Sequence, residues 1–103
     1  MSLTAEDNEG WQPVHGACFN GHLELVKWLS VQDGVSLTAE AKKQGSRKGS
    51  QPIHGACVNG HLELVKWLEE QDGVSMTAKD NDGWQPIHGA CFKGRLKAAQ
   101  WLA

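Results

Sequence analysis

Gln12-Pro13-Val14-His15-Gly16-Ala17-Cys18 returns as Gln51-Pro52-Ile53-His54-Gly55-Ala56-Cys57, and again as Gln85-Pro86-Ile87-His88-Gly89-Ala90-Cys91. After the first two copies the likeness continues, because residues 21–29 and 60–68 both read Gly-His-Leu-Glu-Leu-Val-Lys-Trp-Leu. The spacing of Pro13, Pro52 and Pro86 falls within the roughly 20–50 residues that mark repeat architectures. A period of this size belongs to stacked supersecondary units, each burying its apolar side against its neighbours. Such a stack offers surfaces rather than an enclosed active site, so its expected work is binding.

Punctuation inside each unit predicts two helices. Pro13 suits a first helical residue: its φ is fixed near the helical value and its missing N–H has no partner to lose there. A short helix from Pro13 to about Phe19 is expected to stop at Asn20-Gly21, a left-handed turn. A second helix follows over about 22–31. Its Leu23, Val26 and Leu29, with Leu25 and Trp28, fall at spacings of three and four and predict a broad buried face. Asp33-Gly34 ends it.

Length and charge bound the function. The chain has 103 residues and a formal net charge of −2. No global positive field therefore recruits nucleic acid. No apolar run reaches the roughly 20 residues of a membrane span. Residues 1–7 lack the basic and apolar regions of a signal peptide. The three cysteines, Cys18, Cys57 and Cys91, occupy one equivalent position. Packed helices lie about 8–10 Å apart, whereas a disulfide needs Cα atoms within about 7 Å. The cysteines are therefore expected to be unpaired and buried, which suits a reducing, intracellular and most simply cytoplasmic setting.

The order Gly10-Trp11-Gln12-Pro13-Val14-His15-Gly16-Ala17-Cys18, then Gly21-His22, then Leu25-Val26-Lys27-Trp28-Leu29, resembles the ankyrin repeat. The resemblance covers essentially the whole chain. It departs in Gln before the proline, Cys for a second Ala, a late Trp in the second helix, and a unit slightly longer than usual. It implies an all-α solenoid of stacked helix pairs with turns projecting to one side. One domain over 1–103 is expected, with repeats at about 4–37, 38–76 and a truncated 77–103. Ser2-Leu3-Thr4-Ala5 aligns with residues 36–39 and 75–78, so Met1 stands where the repeat has Val. The borders thus suggest a piece excised or engineered from a longer array. Arg95-Leu96-Lys97-Ala98-Ala99-Gln100 reads as a more polar end unit.

His15 and Cys18, with their copies His54 and Cys57 and His88 and Cys91, look at first like zinc ligands. A tetrahedral site needs four ligands at about 2.0–2.3 Å, each unit offers two, and the units lie too far apart to share a metal. A catalytic Cys–His pair lacks an orienting third group. No metal, no cofactor and no catalytic residue is expected. His22 and His61 read as structural, and Trp28, Trp67 and Trp101 as a packing ladder between units.

The resemblance also implies where a partner binds: the end of the first helix and the turn before the proline line the family's concave surface. Carried over, that surface holds Trp11, Phe19, Asn20, Ser50, Val58, Asn59, Trp84, Phe92 and Lys93. Four aromatics on one solvent face exceed the usual scatter of exposed apolar residues, and Trp is enriched at interface hot spots. The competing reading packs Trp11 and Trp84 on the adjacent turn.

The turn before Gln51 differs from the other two. Residues 6–11 and 79–84 share a layout with Asp-Asn-x-Gly-Trp, whereas residues 40–50 are five longer, Glu40-Ala41-Lys42-Lys43-Gln44-Gly45-Ser46-Arg47-Lys48-Gly49-Ser50. Lys42, Lys43, Arg47 and Lys48 make it a basic finger over 41–50, expected to protrude. Arg47-Lys48-Gly49-Ser50 resembles a basophilic-kinase site, which makes Ser50 a candidate phosphosite. The expected function is non-catalytic protein–protein recognition. Two rival readings use the same residues: polyanion binding through the finger, to nucleic acid or anionic headgroups, and an engineered scaffold with a modified loop. The finger lacks the interleaved aromatics of single-strand binders. The partner's identity is open, and self-association through the repeat ends is expected.

Overall fold

The computed structural model describes residues 2–42 and 48–103. Six helices follow in order: α1 (Pro13–Phe19), α2 (Leu23–Ser30), α3 (Pro52–Val58), α4 (Leu62–Glu69), α5 (Pro86–Phe92) and α6 (Leu96–Leu102). Among the described residues there is no strand. The helices form three antiparallel pairs stacked along an axis, with principal extents of 38 × 29 × 21 Å.

Local chemistry sets the helix limits. Gln12, Gln51 and Gln85 are extended, and the proline after each opens a short helix of two turns. Each short helix is then reversed by a glycine in the left-handed region, Gly21, Gly60 or Gly94, where a side chain would strain the backbone.

The inner helices stack closely, with α3 between α1 and α5, while the outer helices approach one another less. Glycines inside the inner helices permit this. A Cβ on Gly55 would lie 3.4 Å from the Cα of Phe19, and one on Gly89 would lie 3.2 Å from the Cβ of Val58. The core runs through the pairs as Val14, Cys18, Val26, Leu29, Ile53, Cys57, Leu64, Val65 and Leu68. Each large aliphatic there contributes about 1.5–3 kcal/mol through burial.

Three expectations are corrected by this packing. The apolar face of α2 is narrower than its spacing predicts, since Leu25 is 46 % and Trp28 is 52 % exposed. The tryptophan ladder is not continuous: Trp67 packs on the core, but Trp28 and Trp101 remain half open. Trp101 instead donates its indole N–H to Glu69 (2.7 Å), under the Lys66 ammonium. The cysteines are free, and Cys18 and Cys57 are buried, but Cys91 is exposed.

The polar end of Arg95 also finds a different use. His61 Nε2 meets the Phe19 carbonyl at 2.9 Å, tying the second unit to the first. Arg95, at the equivalent position, donates from Nε to the Val58 carbonyl at 3.2 Å. It performs the inter-unit contact of the histidine it replaces.

Candidate binding cleft

In the outer turns a carboxylate organises the backbone. Asp80 accepts from the N–H groups of Asp82 (2.9 Å) and Trp84 (3.0 Å), and Asp7 accepts likewise from Glu9 and Trp11. Each aspartate N–H also donates to the tryptophan carbonyl across the turn. The middle turn keeps that frame without the carboxylate. Ala41 N–H donates to Ser50 O at 2.9 Å, and Gly49 N–H to Ala41 O at 2.7 Å. Residues 43–47, the five that lengthen this turn, are bracketed by those bonds. The predicted finger residues Lys43 and Arg47 lie outside the described residues. Lys42 and Lys48 are exposed.

The histidines fix the turns to the helices. Gln12 N–H donates to His15 Nδ1 (2.9 Å), which leaves the Nε2–H to donate to Ala39 O (2.8 Å). His54 repeats this with Gln51 and Ala78, and its Nε2 also meets Trp84 O at 3.2 Å. Burial pushes the pKa of His15 below the ordinary 6.5, against the pull of its backbone bonds. Burial also pushes the Cys18 and Cys57 thiols up to about 12. These rings and thiols are committed to structure, and among the described residues no group of three His, Cys, Asp or Glu side chains stands close enough to hold a metal.

The aromatic pairs sit one in each outer unit. Trp11 leans edge-on to Phe19 with ring centroids 5.5 Å apart and lies 5.8 Å from His15. Trp84 repeats the arrangement on Phe92 at 5.6 Å and on His88 at 5.9 Å. Both tryptophans are thus half-buried on their own unit's first helix, whereas Phe19 is 38 % and Phe92 is 68 % exposed. The middle unit has Ser50 and Val58 at these two positions, and among the described residues no aromatic ring pairs with His54 there.

A cleft of about 360 Å³ opens at that place. The structure brings seven of the nine sequence-selected residues to its lining: Trp11, Phe19, Ser50, Val58, Asn59, Phe92 and Lys93. Asn20 and Trp84 are not brought to it. Asn20 is exposed and bonds back to Gly16 O, while Asn59 donates to Phe19 O at 2.7 Å. Val58 is 8 % and Ser50 is 4 % exposed. Burial of Ser50 removes it from the open turn on which a phosphosite was expected, and a kinase would reach its hydroxyl only after local opening. Its Oγ has no hydrogen-bond partner among the described residues.

The sequence marks His61 as structural without its partner, the Phe19 carbonyl, and it gives no such role to Arg95, which holds the Val58 carbonyl at the equivalent place. The signal for them was available: both follow the inter-helix glycine, and both carry a long donor. No helix among the described residues is long and apolar enough to cross a membrane.

No curated protein matches the chain significantly. The family model for ankyrin repeats (3 copies) matches residues 14–103, and the chain therefore belongs to the ankyrin-repeat family, whose members are generally non-enzymatic protein-interaction modules.

Proposed function

We propose that the chain binds a protein partner through the face formed by the first helices and their preceding turns, without catalysis. The observation that carries this reading is the cleft between two aromatic pairs, lined by Trp11, Phe19, Ser50, Val58, Asn59, Phe92 and Lys93. Aromatic residues at the centre of a patch contribute strongly to association because they bury much apolar area at small entropic cost. Asn20 and Trp84, outside the lining of the cleft, and the exposed Lys42 and Lys48 of the middle turn belong to the same proposed surface. Three free thiols are in keeping with a reducing, intracellular compartment. Exposed apolar side chains in both end units, Trp28 and Val31 in the first and Phe92 and Leu96 in the last, support weak self-association.

The test is affinity capture with three baits: the native chain, a variant with Trp11, Phe19, Trp84 and Phe92 made polar, and a variant with Lys42, Lys43, Arg47 and Lys48 changed to Ser. The expected result is a protein partner lost with the aromatic variant and kept with the serine variant. Capture of nucleic acid or anionic lipid that weakens steeply with salt, and is lost only with the serine variant, would replace this reading by polyanion binding.

A further inference from the structure

The two outer units fill one volume that the middle unit leaves open. Trp11 and Trp84 lie over His15 and His88 and meet Phe19 and Phe92 edge-on, at nearly the same distances and angles. In the middle unit both partners shrink together, Trp to Ser50 and Phe to Val58. The backbone frame is kept, because Ala41, Gly49 and Ser50 make the same cross-turn bonds as their counterparts. The opening is thus a place shaped for an aromatic side chain that none of the described residues supplies.

Its walls and charge indicate what does. Trp11 and Phe19 stand on one side and Phe92 on the other, with Pro52 and Val58 between. Such walls favour a ring held in edge-to-face contact. Ser50, almost fully buried, lines the cleft with a hydroxyl that has no partner among the described residues. Lys93 at the rim is exposed, and among the described residues no acidic side chain lines the cleft. Lys48, two residues before Ser50, is exposed as well. Among the charged residues that line the cleft the one fixed charge is thus the Lys93 ammonium, although the whole chain carries −2.

We infer that the cleft between the aromatic pairs is a pocket for one aromatic side chain of a peptide segment whose flanking residues are acidic. The inference rests on the protein-recognition reading above and narrows it to a ligand class. The ring would take the position over His54 that Trp11 and Trp84 take over their own histidines. The flanking carboxylates would face Lys93 and Lys48.

The experiment uses three synthetic peptides with blocked ends: Glu-Glu-Phe-Glu-Glu, Glu-Glu-Ala-Glu-Glu and Lys-Lys-Phe-Lys-Lys. Each is titrated into the isotope-labelled chain while backbone amide shifts are followed. The expected result is that Glu-Glu-Phe-Glu-Glu binds about tenfold or more tightly than the alanine peptide, the weight of one buried ring. It should also bind several-fold more tightly than the lysine peptide, with the largest shifts at Ser50, His54 and Val58. The variant S50W/V58F copies the outer units into the middle one and should abolish binding while keeping the helical circular dichroism. Should that double variant fail to fold, S50W alone serves the same purpose, and K93E should weaken the acidic peptide with the pocket intact.

Equal binding of the phenylalanine and alanine peptides would overturn the pocket, as would binding that survives the filling variant or no binding at all. Equal binding of the acidic and basic peptides would overturn the charge assignment. None of these failures removes protein recognition as such, which stands or falls on the aromatic variant in the capture experiment.

Discussion

Residues 21–29 and 60–68 are the same nine amino acids, yet they do not have the same surroundings. In the second copy Leu64 is 2 % exposed and His61 holds the carbonyl of Phe19; in the first copy Leu25 is 46 % exposed and His22 is open to solvent. Both copies form helices of the same length. Local sequence therefore decides that a helix forms and where it ends, while the neighbouring unit decides what that helix buries. In a stack of repeats, stability is a sum of unit terms and interface terms, and this pair separates the two at constant sequence.

The largest expected contrast between equivalent positions is in thiol reactivity. Cys18 and Cys57 are buried with pKa values of about 12, whereas Cys91 is exposed. At neutral pH the buried pair should react with a disulfide reagent about a thousandfold more slowly than an ordinary exposed thiol. A colorimetric thiol assay should show one fast equivalent, assigned to Cys91 by its loss in C91S, and two slow ones released by denaturant. Three fast equivalents would mean that the stack opens freely.

Leucine truncation comes next. Leu64→Ala should cost about 3 kcal/mol, while Leu25→Ala, at the same place in the same sequence, should cost about 1 kcal/mol or less. Urea denaturation of the two variants measures the difference directly. Equal losses would mean that the helix, and not the interface between units, sets the energy at this position.

This contrast also explains how much was legible in the sequence. Helix limits were legible because they rest on adjacent residues: the proline after an extended glutamine opens each first helix, and Gly21, Gly60 and Gly94 close it. Of the nine positions that the resemblance implied for a partner, seven line one cleft. Burial was not legible. Leu25 and Cys91 carry residue types that are buried in the middle unit, and Trp28 one that is partly buried there, and no local signal marks the difference in covering. Ser50 failed for the converse reason. A polar residue in a Gly- and Lys-rich stretch reads as solvent-facing, but the cross-turn bonds of Ala41 and Gly49 draw it inside.

A smaller and graded effect belongs to His15. Its folded-state pKa lies below the ordinary 6.5 because burial disfavours the imidazolium. Between the folded and unfolded values the unfolded chain holds more protons, so stability must fall as pH drops. The contribution is complete above about pH 6.5 and declines beneath it until the folded value is passed. Urea midpoints taken from about pH 8 to about pH 5 should follow this course. H15Q should lower the midpoint throughout and flatten that segment of the profile. A variant that keeps the wild-type slope would show that another group carries the proton uptake.

The smallest effect tests what distinguishes the middle turn. Ser50 stands where the outer units have tryptophan, and its hydroxyl is buried without a partner among the described residues. Burying a hydroxyl that bonds to nothing costs free energy, so removing it carries no penalty from a lost bond. Ser50→Ala should therefore leave stability unchanged or raise it by up to about 1 kcal/mol. A loss of that size would mean that the hydroxyl is hydrogen-bonded in solution after all. A gain would mean that the middle unit keeps a destabilising serine where its neighbours have a ring. A polar atom kept there against stability fits a cleft retained for a ligand better than a turn selected for packing.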